Sequence, residues 1–292
     1  MMLPTRASRI GLILVLLFVL AAVLAPFLAR LAGQNPYDPT VPRGVVPPTA
    51  PGPSHPLGTD SLGRDMLARL LYGARISLSI GVLAEVLALL LGLLIGGIAG
   101  FYGGWVDDLL MRLADTFFSL PAPLLALAVT AALPEPSSVP LLRHLPEPSL
   151  AMVLLVLGFI GWAGIARLVR AQVLVLREME YARAATALGA RSGRLILRHL
   201  LPNALAPILA TALVGIAGNI LAESWLSFLG VGAHPPLPSW GIMITEGQSY
   251  LTTHPWVCVY PGLALFTAVL GLNLLGDGLR EGWDPHRIPV RP

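Results

Sequence analysis

Long, nearly uninterrupted apolar runs are the feature that most limits what this chain can fold into. Six stand out, at approximately Ile10–Ala29, Ile76–Gly100, Leu109–Leu133, Leu150–Leu168, Ala204–Ala222 and Trp256–Gly276. A helix needs about 20 apolar residues to cross the hydrocarbon core of a bilayer, and these runs are close to or above that length. Only 12% of the 292 residues are charged, against roughly a quarter in a typical soluble domain. The expected fold is all-α, a polytopic membrane protein with six transmembrane helices.

The charges set the topology. All 19 basic residues are Arg, and the formal net charge of +3 excludes a nucleic-acid-binding surface. Arg6 and Arg9 precede the first run, which puts the N-terminus in the cytoplasm. Alternation then makes segment 169–203 cytoplasmic, with Arg170, Arg177, Arg183, Arg191, Arg194 and Arg198. Segment 223–255 falls outside and has no Arg, while Arg280, Arg287 and Arg291 return the C-terminus to the cytoplasm. The external stretch 31–75 carries Arg43, Arg64, Arg69 and Arg75 against this trend, with carboxylates available for partial pairing. Arg6 and Arg9 before an apolar run also fit a cleaved signal peptide, but the run is long and no clear small-x-small site ends it. The lone Cys258 rules out an intrachain disulfide.

The chain divides into a first helix (1–30), an external stretch (31–75), a membrane body (76–280) holding the cytoplasmic loop 169–203, and a tail (281–292). Residues 33–56, dense in Pro and Gly, read as extended linker. Asp60-Ser61-Leu62-Gly63-Arg64-Asp65 then opens an amphipathic stretch to Arg75. With Leu67, Leu70 and Leu71 on one face, it is expected to lie along the outer membrane surface. Another external helical segment is expected near 239–251.

No catalytic constellation emerges. None of the six His residues falls well inside a run, and neither H-E-x-x-H nor G-x-S-x-G occurs. This disfavours a membrane enzyme. Glu85 is the one ionisable residue clearly inside a run, which disfavours an ion-coupled carrier, since such carriers bury several. It shares a helix face with Gly81, Ala88, Gly92 and Gly96, so it points into protein. Its readings are a pathway residue or, favoured here, an interhelical hydrogen bond. Asp108, Arg112 and Asp115 share a face and read as a paired interface anchor. Pro121 and Pro123 should kink or open the third helix.

Without a single Lys the chain lacks the residue that a Walker A loop uses to reach phosphates, so it has no such ATP site. Any power for transport must come from another polypeptide, docked on the cytoplasmic side. There, Arg177–Leu188 reads as a helix with little bulk at Ala182, Ala184, Ala185 and Ala187, ended by Gly189 in the left-handed conformation. Ser192 reads as the N-cap of a second short helix through Leu201, and Pro202 marks the start of the fifth span. Physically, the first helix suits a groove in a partner and an ordinary amphipathic surface helix equally well.

The run Ala184-Ala185-x3-Gly189, with Pro202 thirteen residues on, resembles the EAA loop of ABC importer permeases, although Arg183 stands at that family's Glu position. Further runs are similar to the second permease of dipeptide, oligopeptide and nickel importers. They are His55-Pro56-Leu57-Gly58-Thr59-Asp60, Gly63-Arg64-Asp65, Tyr72-Gly73-Ala74-Arg75, Tyr102-Gly103-Gly104-Trp105 with Asp107, Ser227-Phe228-Leu229-Gly230, Pro238-Ser239-Trp240-Gly241, Asn273-Leu274-Leu275-Gly276-Asp277 with Leu279-Arg280, and Asp284-Pro285. The resemblance implies a type I importer permease in a bacterial inner or plasma membrane. It would carry di- or oligopeptides or, alternatively, nickel or another solute. It implies a homologous permease partner, two ATP-binding cassette subunits that bind the ATP, an external solute-binding protein, and no cofactor in this chain. Contact with the ATPase would fall on Arg183, Ala184, Ala185, Leu188, Gly189, Ala190, Arg191 and Ser192. The substrate-binding residues are unassigned.

Overall fold

The computed structural model describes residues 5–42, 44–140, 142–145 and 147–283. Its helices are α1 (Arg6–Leu31), α2 (Met66–Tyr102), α3 (Gly104–Phe118), α4 (Ala122–Ala132), α5 (Pro148–Leu176), α6 (Glu180–Ala187), α7 (Ser192–Leu195), α8 (Leu201–Phe228), α9 (Trp240–Gly247) and α10 (Trp256–Trp283). A π-turn, Ile196–Leu200, joins α7 to α8. Among the described residues no β-strand forms; Thr59 and Asp65 make an isolated bridge. Arg43 and the Asp284-Pro285 end of the tail, with Arg287 and Arg291, lie outside the described residues.

The helices begin and end where local chemistry satisfies their free backbone groups. Thr5 and Ser8 form a capping box at the start of α1. Asp65 caps α2, accepting from the Ala68 N–H at 2.8 Å. The chain leaves α2 through Gly103 and Gly104, both at positive φ (64° and 57°), a conformation that costs a residue with a Cβ.

Five helices are long and apolar enough to cross a membrane, and α3 with α4 makes a sixth when counted as one span. That pair is bent by 90°. The break falls at Ser119-Leu120-Pro121, as the prolines led us to expect, because Pro121 has no N–H to continue the ladder. Large apolar side chains project from the bundle, with Val23 70% and Phe27 64% exposed, as lipid-facing surfaces require.

The interior of the bundle is built on small residues. On α2, a Cβ added at Gly92 would sit 2.6 Å from the Ile165 Cβ of α5. One at Gly96 would meet the Val169 Cβ at 2.8 Å, and one at Gly100 the Arg170 carbonyl at 2.8 Å. Glycine spaced every four residues thus brings the α2 and α5 backbones together. Gly81, on the same helix, abuts Ile220 of α8 in the same way.

Two expectations about the stretch before the second span change. Met66–Tyr102 is one helix of 37 residues, about 55 Å long, so residues 66–75 continue the span instead of lying along the surface. Its first turns are also inverted relative to a surface helix, with Arg69 fully buried and Leu67, Leu70 and Leu71 half-buried. The reason is residues 32–65, a strap with little regular structure that folds back over this end. The Thr40 N–H donates to the Gly63 carbonyl at 2.8 Å, and the Thr49 N–H to the Thr59 Oγ1 at 2.8 Å. Arg64 and Arg69 are buried beneath the strap against Asp60 and Glu246. These two arginines are therefore neutralised at this end, which reduces the anomaly in the Arg count.

Candidate functional site

The loop between α5 and α8 is held at its base and open at its tip. Arg177, which caps α5, donates through Nη1 to the Gly100 and Phe101 carbonyls at 3.0 and 3.3 Å, tying the loop to the end of α2. Ala182, Leu195 and Leu200 are buried in one apolar cluster with Val169 and Val173 of α5. The helix of this loop starts at Glu180 instead of Arg177, because residues 177–179 form the turn that leaves α5.

The expected turn at Gly189 is present in full. Its φ is 81°, its N–H donates to the Thr186 carbonyl at 2.9 Å, and the Ala190 N–H donates to the Ala185 carbonyl at 3.0 Å. These two bonds define a Schellman motif, which satisfies the last carbonyls of α6. Ser192 is not a cap. It is the first residue of α7, Arg191 holds the N-cap position, and no side chain caps the helix. The second short helix is not separate either. It runs through the π-turn into α8, giving one apolar helix over Ser192–Phe228. The wider turn falls just before Pro202, where the missing N–H would otherwise break the ladder.

Of the residues expected to meet a partner, Arg183, Ala184, Leu188, Gly189, Arg191 and Ser192 are exposed, while Ala185 and Ala190 are half-buried. Leu188 is 89% exposed, with Tyr181, Met179 and Leu197 open around the same loop. Arg183 pairs with Glu178 at 2.8 Å, and this hydrogen bond is the main cause lowering the Glu178 pKa. Both side chains are exposed, so the pair adds little stability.

Inside the membrane body, the Asn219 amide donates to Glu85 at 2.9 Å, the interhelical bond that the small-residue face suggested. Gly215 leaves the room for that carboxylate. Asp115 pairs across to Arg167 of α5, not with Arg112 on its own helix, and Asp107 forms a two-pronged pair with Arg170 at 2.5 Å. The anchor therefore joins α3 to α5, and its best-buried member, Asp107, was not in the expected set.

Glu223 was also missed. It lies one residue past the fifth apolar run, yet it is fully buried in α8. Its carboxylate accepts from Ser227 Oγ at 2.9 Å and Ser77 Oγ at 3.2 Å. Those hydroxyls accept in turn from the Ala233 and Trp240 N–H groups at 3.0 and 3.3 Å. Glu223 thus fastens α2 and the segment leading into α9 to α8. The clustering of Ser224, Ser227 and Ser239 nearby in the chain was the available signal.

A second buried node closes the strap end. Asp60 Oδ2 lies 2.6 Å from Arg64 Nε, and Glu246 Oε2 lies 2.8 Å from an Nη2 of both Arg64 and Arg69. Asp60 is also 3.1 Å from Arg69 Nε, though too oblique for a hydrogen bond. These groupings hold helices and loops in place.

Comparison with known proteins agrees with this picture. Residues 92–288 match the family described as the binding-protein-dependent transport system inner membrane component. The chain is 39% identical to a dipeptide transport system permease protein of Alkalihalophilus pseudofirmus over 280 residues, 96% of this chain and 86% of that one. It is 37% identical to an oligopeptide transport system permease protein of Bacillus subtilis, with the same coverage. A glutathione transport system permease protein of Pectobacterium atrosepticum is 36% identical over 273 residues, 93% of this chain and 84% of that one. The chain thus belongs to the family of binding-protein-dependent transport system inner membrane components, and it is a multi-pass permease subunit of an ABC importer, not an enzyme.

Proposed function

We propose that this chain forms half of a translocation pathway for peptides and is driven by ATP-binding cassette subunits docked on the α6 loop. A homologous permease supplies the other half, and an external solute-binding protein delivers the cargo. The membrane is a bacterial inner or plasma membrane, with both termini in the cytoplasm. Peptide cargo is favoured by the names of the similar dipeptide, oligopeptide and glutathione permeases.

The observation that carries the docking reading is Leu188. A leucine 89% exposed at the tip of a loop that is otherwise firmly anchored is an unburied apolar knob outside the spans. Burying a leucine is worth about 1.5–3 kcal/mol, so a partner groove gains by taking it. Closure of the ATPase pair would then swing the helices as rigid bodies, giving alternating access without chemistry on the cargo.

Leu188→Asp should leave membrane abundance unchanged, because the side chain packs on little else, but abolish copurification of the ATPase subunit. Gly189→Val, strained by roughly 1 kcal/mol or more in the left-handed region, should weaken the association or uncouple hydrolysis from uptake. Ser192→Ala, which loses no cap and only a small hydroxyl from the same loop, should do less harm. Normal uptake by Leu188→Asp at wild-type abundance would rule out this loop as the docking element.

Orientation is tested separately. The strap and α9 share one end of the bundle, where Glu246 reaches Arg64 and Arg69, and the α6 loop belongs to the other. With Cys258 replaced, cysteines at exposed Ser192 and Thr252 should label from opposite sides. Reaction of both with an impermeant external reagent would refute the arrangement.

A further inference from the structure

At the strap end, an open cavity of about 470 Å³ lies between α2, the start of α5 and the strap. Its polar lining comes from Tyr37, Tyr72, Arg75, Ser79 and Glu147, and the remainder is mostly aliphatic. The volume falls within the roughly 300–1,000 Å³ of small-molecule sites. Its charges set it apart from the rest of this end. Arg69, about two helical turns before Arg75, and Arg64, just ahead of α2, are buried and neutralised by Asp60 and Glu246. Arg75 and Glu147 are exposed, and neither forms an ion pair with the other or with any other described residue. Two opposite charges therefore face one cavity without meeting.

A surface of this kind is complementary to a ligand with both charges, a cation toward Glu147 and an anion toward Arg75. Tyr37 and Tyr72 pack edge to face, ring centroids 5.9 Å apart, on the same wall. Burial first, then Tyr72 and Glu147, raise the Tyr37 pKa, so its hydroxyl remains a hydrogen-bond donor.

We propose that this cavity is an acceptor site for the two free ends of a peptide, with Arg75 taking the α-carboxylate, Glu147 the α-ammonium and the tyrosines the backbone between. The inference rests on the peptide reading above and deepens it. The aliphatic walls place few demands on side chains. Exposure of both charges keeps the contacts screened and weak, which suits a site that must release what it receives.

The test uses the complete transporter with a photoreactive benzoylphenylalanine in place of Leu145, an exposed residue of the same lining. A radiolabelled tripeptide with free ends should be captured on this chain. Excess unlabelled free-ended tripeptide should compete, and the same peptide N-acetylated and C-amidated should not. Arg75→Gln and Glu147→Gln should each reduce capture by about two- to fivefold, the loss of one solvent-screened charge contact. Equal competition by the blocked peptide, or wild-type capture in both variants, would overturn the proposal. So would an effect of Arg75→Gln alone, which would mark a site for a lone anion such as a lipid phosphate. Tripeptide uptake without capture would refute the acceptor site but leave the peptide reading standing. Absence of uptake for any peptide, alongside uptake of another solute, would refute that reading itself.

Discussion

Glu246→Ala is expected to destabilise the strap end by about 3–5 kcal/mol, the usual cost of removing one partner from a buried ion pair. Arg64 and Arg69 are 2% and 0% exposed and both depend on the same Glu246 oxygen. Without it, Asp60 alone faces two guanidinium groups, and one buried positive charge is uncompensated. The strap should then loosen, which limited proteolysis of residues 32–65 in detergent or nanodiscs will detect, along with a lower midpoint of denaturant unfolding. Glu246→Gln should lie between wild type and alanine, since it keeps the shape and one acceptor but loses the charge. A sharper comparison replaces Arg64, Arg69 and Glu246 with apolar residues of similar volume and Asp60 with Asn, whose carbonyl still accepts from the Leu62 and Arg64 backbone N–H groups. That variant should be far less harmed than the single alanine, because desolvation of the ions is removed together with their attraction. An alanine variant with wild-type unfolding and protease resistance would show that the node contributes nothing to stability.

Gly96→Leu is expected to be at least as severe, and by packing instead of charge. A Cβ at this position would lie 2.9 Å from the Ala166 Cα and 2.8 Å from the Val169 Cβ of α5, and leucine adds three further carbons to a contact that the Cβ alone already overfills. Overpacking a filled interior costs about 1–3 kcal/mol and occasionally more. Here the contact is backbone against backbone, so the larger values apply and α2 must move away from α5. The expected result is a strong fall in folded protein recovered from the membrane. Val169→Ala should restore little of it, because the Val169 Cβ and the Ala166 backbone, the atoms in the way, both remain. Full recovery of Gly96→Leu without any second change would show that the two helices do not depend on this approach.

The sequence announced what depends on neighbours along the chain. Apolar runs marked the spans, Pro121 the break before α4, Gly189 the end of α6, and small residues around Glu85 a face turned into protein. It concealed what depends on residues far apart. Arg64 and Arg69 are more than 170 positions from Glu246, and a helical wheel of residues 60–75 shows only charges opposite leucines, the pattern of a surface helix. The strap that reverses that reading is almost all irregular and has no periodicity to detect. Glu223 escaped for a related reason. The apolar run stops just before it, and its partner Ser77 comes from another helix. Asp107 and Arg170 pair across helices, whereas spacing along one helix favoured Asp108, Arg112 and Asp115.

The helix over Ser192–Phe228 has a mechanical consequence. Its 37 residues make a rod about 55 Å long, with Leu195 and Leu200 seated at one end and Glu223 fastened near the other. Over that distance a tilt of roughly 5° displaces the far tip by about 5 Å, close to the rise of one helical turn. Tilted as one body, the rod would act as a lever, with breaks in its hydrogen-bond ladder at the π-turn just inside the loop end and at Pro207. A stiffer joint there would carry more of a push into the membrane, and a looser one would absorb it.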